Sequence, residues 1–393
     1  MGDGRDGAAP ACRDARGASM RKDGRTGLRR RAFASAACAL ALLLLAGCAT
    51  RAPLEAGRTP AQVRAEIVRA MPASVPDRAG WADDVQSAFA ALDIAPTPAN
   101  LCAVLAVAEQ ESTFRADPPV PGLPKIARAE IDRRAASLHV PRLLVDAALK
   151  IHSPDGRSYA QRLQGVRTEG ELSALFEDFT GMVPMGRRLF GGLNPVHTGG
   201  SMQVGIAFAQ AHADDYPYTV AESIRREVFT RRGGVYFGTL HLLGYPADYD
   251  AMRYRFADFN AGWHASRNAA FQAAVARASG IELALDGDLL RPGAPLDAPG
   301  ATERAVRALG DRLGMDDGRI RRELEEGDGP DFARTRLYAR VFELAEARAG
   351  RPLPRAVVPG IALHSPKITR KLTTAWFVDR VEGRWERCLA RVR

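Results

Sequence analysis

The stretch TPANLCAVLAVAEQESTF, Thr97–Phe114, decides how the rest of the chain is read. Thr97 before Pro98 has the form of an N-cap followed by proline at the first helical position, where its missing N–H costs nothing. Leu101, Val104, Leu105 and Ala108 recur at helical spacing and mark an apolar face. Glu111 lies three residues after Ala108 and seven after Val104, so it continues that face. Glu109, two positions away, points roughly 200° around the helix. A carboxyl at the end of an apolar face loses hydration, which favours its neutral form and raises its pKa. That is what a general acid needs near neutral pH. Spacing therefore selects Glu111 as the candidate catalytic residue, against the plainer alternative of a structural carboxylate at a helix end.

Outward from this helix, periodicity of the helical kind begins near Ala61 and persists along most of the chain, with no alternating run long enough for a sheet. Pro- and Gly-rich breaks fall at 117–124, 181–200 and 286–300. The expected fold class is all-α. Residues 301–349 read as amphipathic helices separated by Gly-Asp turns at 310–311 and 327–328. A last helix is expected from about Ile368 to Leu389, with Trp376, Phe377, Val381 and Trp385 as its apolar stripe, more suited to a core than to a ligand site.

The chain has 393 residues, 46% hydrophobic and 26% charged, a globular composition. Its net charge of +9 is concentrated near the start, since residues 1–47 hold nine Lys/Arg against four Asp/Glu. The mild surplus that remains is no nucleic-acid footprint. Arg29, Arg30 and Arg31 precede an Ala- and Leu-rich run to Leu45, then Ala46, Gly47 and Cys48, the pattern of an export signal with residues 1–47 removed. Met20 offers an alternative start. Leu45-Ala46-Gly47-Cys48 resembles the lipobox of bacterial lipoproteins, which implies lipidation of Cys48, a tether over 48–60 and a membrane-anchored mature protein. Ala49 after the cysteine, where inner-membrane retention uses Asp, leans towards an outer-membrane protein facing the periplasm. Cys102 and Cys388 then remain in an oxidising compartment, either as a disulfide tying the C-terminal helix to the core or as two buried thiols.

Three motifs occur in order. Ala106-Val107-Ala108-Glu109-Gln110-Glu111-Ser112-Thr113-Phe114, Gly200-Ser201-Met202-Gln203-Val204 and Ala257-Asp258-Phe259-Asn260-Ala261-Gly262 resemble the catalytic-helix, Gly-Leu-Met-Gln and Ala-Tyr-Asn-Ala-Gly motifs of lytic transglycosylases in the lysozyme-like superfamily. Gly234-Val235-Tyr236-Phe237-Gly238-Thr239-Leu240 is similar to the family's Gly-x-x-Tyr-Leu helix. The resemblance covers about a quarter to a third of the chain. It implies a lysozyme-like catalytic domain over 61–280, with a helical insertion at about 118–198 and a C-terminal helical extension over 281–393. It implies cleavage of the bond between N-acetylmuramic acid and N-acetylglucosamine in peptidoglycan strands, with Glu111 as the single acid/base and a 1,6-anhydro product. Ser112, Met202, Gln203 and Asn260 are the implied substrate-binding residues.

Two features depart from the family. Phe259 stands where it has Tyr, losing a hydroxyl that Tyr254, Tyr236 or His197 could replace; without replacement, the chain would be a non-catalytic glycan-binding lipoprotein. The 88 residues from Ser112 to Ser201 exceed the family's spacing, and helical patterns around Ile126–Ala136, Leu143–Ile151 and Gly170–Phe179 fill them. A hydrolytic muramidase would need a second carboxylate, for which Glu177 and Asp178 are the candidates. Asp258, on a helix, reads as solvated and not as a nucleophile. The seven histidines lack metal-ligand spacing, and there is no phosphate-cradling loop or nucleophile elbow, so no metal or cofactor is expected. Protein partners are not indicated.

Overall fold

The computed structural model describes residues 57–392, apart from 183, 186, 187, 189, 190 and 364–371. The leader, Cys48 and His364 lie outside the described residues. Helices dominate, as the periodicity predicts; the only paired strands among the described residues are two-residue ladders.

Three apolar clusters organise residues from Thr59 onward. The first gathers helices Pro60–Ala70, Arg78–Ala91, Pro98–Ser112, Arg231–Leu243 and Met252–Ala261, and is closed by the final helix, Thr374–Val392. Pro98–Ser112 lies at its centre. Thr97 caps it by accepting a hydrogen bond from the Asn100 N–H at 3.2 Å. Leu101 through Ala108 are all buried. The expectation of one apolar face was therefore too narrow: Ala103, Ala106 and Val107 fill the far side, making this an all-round buried helix.

The segment after this helix forms a second body. Helices Leu123–Ser137, Arg142–Leu149, Tyr159–Gly165 and Glu169–Gly181 enclose their own small core, to which Val196 and Ile206 contribute. Three of the four match the sequence expectation within a few residues. Tyr159–Gly165 was not expected; a Ser158–Gln161 capping box starts it.

The third cluster joins Ala265–Ser279 to Ala301–Arg307, Asp317–Glu325 and Arg336–Ala349. Residues 281–393, read as one C-terminal extension, thus divide between two cores. The first part packs on Ala265–Ser279, whereas Thr374–Val392 crosses back onto Pro98–Ser112 and Met252–Ala261. Cys388 on this closing helix is joined to Cys102 by a disulfide, so the thiol alternative is excluded. Trp385 adds an indole N–H bond to the Ala99 carbonyl at 2.9 Å. Among the described residues no helix is long and apolar enough to cross a membrane.

Candidate functional site

The acid helix ends abruptly. Thr113 and Phe114 both adopt left-handed backbone, with φ of 53° and 56°. This conformation costs roughly 1–2 kcal/mol at each non-glycine residue. The Thr113 and Phe114 N–H groups bond back to the Glu109 and Ala108 carbonyls, and Phe114 is buried edge-on against Trp81. Ser112 completes the lock: its buried hydroxyl donates to Ala108 O at 2.9 Å and accepts from Arg115 N at 3.1 Å. The substrate-binding role expected for Ser112 is thus not what its side chain is doing. It fixes the end of the helix that carries the acid.

Glu111 keeps part of its surface accessible, but protein atoms exclude water from most of its surroundings. Burial pushes its carboxyl up to about 7, against a smaller pull downward from the Arg384 guanidinium. Arg384 comes from the closing helix and also stands 3.7 Å from Glu109. This one cation therefore acts on both acids.

The second motif forms a tight hairpin. Thr198–Gly199 pairs antiparallel with Val204–Gly205, and residues 200–203 make the turn. Gly200 has φ 77°, and a Cβ there would strike the Val228 carbonyl. Met202 is fully buried against Gly238, so its expected contact with substrate is corrected to core packing. Ser201 faces Gly234 one turn away. These glycines on Arg231–Leu243, four apart on one face, let the hairpin backbone settle onto that helix. Gln203, with φ 51°, is half-buried, its amide making only long contacts of 3.4 Å to Gly200 O and Thr198 Oγ1.

The third motif departs furthest from expectation. Asp258, read as solvated, is fully buried. Its Oδ2 accepts from the hydroxyls of Tyr245 and Tyr249 at 2.8 and 2.7 Å and from His264 N at 3.1 Å; Oδ1 accepts from Ser266 N at 2.6 Å. It is the hub that folds the turn after Gly262 back onto the helix. Asn260 Oδ1 accepts from Thr374 Oγ1 at 2.8 Å, so this expected substrate contact is occupied by the start of the closing helix. The Phe259 ring lies 5.0 Å from His241 and 6.5 Å from Phe377. Of the groups offered as its replacement, Tyr236 has its hydroxyl bound to Asp215 O, and Tyr254 lines a cleft with His264. Glu177 is ion-paired to Arg226 at 3.0 Å, tying the inserted helices to Ile224–Glu227, and Asp178 to Arg162 at 2.7 Å, tying two inserted helices together. They are not spare carboxylates.

The three motif-bearing elements converge on shared neighbours. Arg231–Leu243 packs against the acid helix, the hairpin and Met252–Ala261; the closing helix packs against the first and last of these. Beside the third motif a cleft of about 340 Å³ opens between Phe208, His212, His241 and Trp263 on one side and Asp286 and Asp288 on the other. Burial pushes His241 down to about 4, so its ring is neutral at pH 7. Sequence reasoning passed over Arg384, His241 and Trp263. The aromatic Trp263 directly after Gly262 was the one available signal; Arg384 sits 121 positions further on in a helix without a motif. Among the described residues no group of three His, Cys, Asp or Glu could hold a metal ion.

A family profile described as "Protein of unknown function (DUF1615)" matches residues 74–391. The chain is 57% identical over 352 residues to "Uncharacterized protein YaiW" of Escherichia coli (strain K12), covering 89% of this chain and 96% of that protein. No solved structure matches. With the profile spanning the acid helix, the hairpin, the third motif and the closing helix alike, the chain belongs to the DUF1615 family.

Proposed function

We propose that this protein is a peptidoglycan lytic transglycosylase with a lysozyme-like catalytic core and Glu111 as its single acid/base. The observation that carries this reading is the Glu111 carboxyl, raised to about 7 by burial at a locked helix end. In that state it is protonated often enough at neutral pH to act as an acid, yet ionises readily. It would give its proton to the glycosidic oxygen as the bond to the muramoyl C1 breaks. The resulting carboxylate, steadied by Arg384, would take the proton of the muramoyl 6-hydroxyl as O6 closes on C1. The proton count balances without water, so a second carboxylate is not required. Gln203 is the expected binding residue whose amide retains the most capacity for a sugar.

Purified glycan strands digested with the full protein are expected to yield 1,6-anhydro ends, and Glu111→Gln to yield none. Reducing ends from the wild type would establish a hydrolytic muramidase instead. A second reading, a glycan-binding protein without turnover, draws on Phe259, which leaves the ring position next to His241 without a hydroxyl. Binding of glycan with no new ends from either protein would favour it. The resemblance of residues 45–48 to a lipobox supports an acyl anchor on Cys48 at the outer membrane, facing the periplasm. Cys48→Ser would then release the protein from the envelope fraction.

A further inference from the structure

A cleft of about 680 Å³, lined by no residue of the acid helix, opens between the turn after the third motif and the helix Arg336–Ala349. Two buried groups on its wall have unmet capacity. His264 is 3% exposed, and its Nε2 has no hydrogen-bond partner. Arg267 is 6% exposed. Its guanidinium donates to the Gly327 and Gly329 carbonyls at 2.5 and 2.8 Å and to Asn268 Oδ1, and stands over the Phe332 ring at 5.2 Å. Among the described residues it has no carboxylate in ion-pair range. The other two arginines of the cleft do: Arg334 pairs with Asp331 at 2.8 Å and Arg355 with Glu346 at 2.7 Å.

A buried cation costs free energy unless a counter-charge or several dipoles stabilise it. Here carbonyl dipoles hold the fork in place and one Nη1 hydrogen is left over, while Asp258 and Asp328 act on the cation only from beyond ion-pair range. The acids Asp248 and Asp250 also line the cleft, but neither is ion-paired with Arg267. Around these two groups the walls carry the hydroxyls of Tyr254 and Tyr338, which bond to no described residue, so the lining can meet sugar or amide groups as well as an anion. The volume falls in the range of small-molecule sites.

We propose that this cleft binds a small ligand carrying one carboxylate or phosphate on a polar ring, with the anion between Arg267 and His264 Nε2 and the ring against Tyr254 and Tyr338. The site is separate from Glu111 and stands whether or not the chain cleaves glycan. Planar, fork-like recognition of such anions is what arginine does best.

The test titrates full-length protein, labelled with ¹⁵N-histidine, against three probes of one ring type. These are N-acetylmuramic acid (carboxylate), N-acetylglucosamine 6-phosphate (phosphate) and neutral N-acetylglucosamine. His264→Asn assigns the His264 ring signals, asparagine being tolerant of the left-handed φ of 63°. At least one anionic probe is expected to shift those signals, the neutral sugar binding at least tenfold more weakly; which anion prevails tells carboxylate from phosphate. Ala333→Trp, on the exposed wall, fills the mouth without touching the core and is expected to abolish the shift at unchanged melting temperature. Arg267→Lys, which keeps the charge and loses the fork, is expected to weaken binding about tenfold. Equal affinity for the neutral sugar, no shift with either anion at tens of millimolar, or a shift that survives Ala333→Trp would each overturn the proposal.

Discussion

Glu111 holds its proton because protein atoms replace most of the water around it, and that protection carries a thermodynamic cost. Its native carboxyl titrates near 7 while the unfolded one titrates at the ordinary 4.5. Between those values the native state binds more protons than the unfolded state, so stability is full below about pH 4.5 and declines as pH rises towards 7. Glu111→Gln removes the titration. The variant is expected to match the wild type at pH 4 and to exceed it by about 2–3 kcal/mol at pH 8. Urea denaturation at the two pH values checks this; equal stabilities at pH 8 would mean the carboxyl is not held out of water. Ser112 works at the same scale, since the hydroxyl that looked like a substrate contact is consumed by Ala108 and Arg115. Buried polar groups are satisfied before they are available to ligands.

At the scale of elements, the contact between the hairpin and Arg231–Leu243 rests on missing side chains. A Cβ on Gly238 would come within 2.4 Å of Met202 Sδ and 2.6 Å of its Cβ. The sulfur could swing aside, but the Cβ is fixed to the hairpin backbone. Gly238→Ala is therefore expected to destabilise the fold by about 1–3 kcal/mol despite alanine's better helix propensity. Thermal unfolding measures it, and a stabilised variant would show that the hairpin sits further from the helix. Helices themselves were well legible in the sequence. Thr97-Pro98 marked the true start of the acid helix, and three of the inserted helices lie where periodicity placed them, because caps and periodicity act within a few residues. Helix faces were less legible. Pro98–Ser112 read as amphipathic but is buried all round, since its alanines and valines satisfy neighbours on either side.

For the whole molecule, the Cys102–Cys388 bond is the covalent constraint, joining positions 286 apart and fixing the closing helix to the acid helix. It forecloses a very large loop in the unfolded chain. Cys102→Ala/Cys388→Ala is expected to lose about 2–5 kcal/mol. Reductant should lower the stability of the wild type and leave the double variant unchanged in guanidinium titrations; a reductant-insensitive wild type would contradict the linkage. The same closing helix brings Thr374 to Asn260 and Arg384 to the acid pair, so the candidate site is completed only when the last twenty residues have docked.

What the sequence determined alone was local: helix as the class of structure, the caps and breaks that bound each element, and Glu111 as the carboxyl at the end of an apolar run. Those follow from interactions spanning a turn or two of chain. What tertiary structure decided was which polar side chains remain free. Asp258 became a buried hub, Asn260 was taken by Thr374, Met202 went into the core, and Arg384 and the Arg267–His264 pair acquired their positions. Asp258 finds its partners within 13 residues, but across a chain reversal; the others depend on partners tens to hundreds of residues away. The path that brings such groups together is set by packing of whole helices, which local periodicity does not encode.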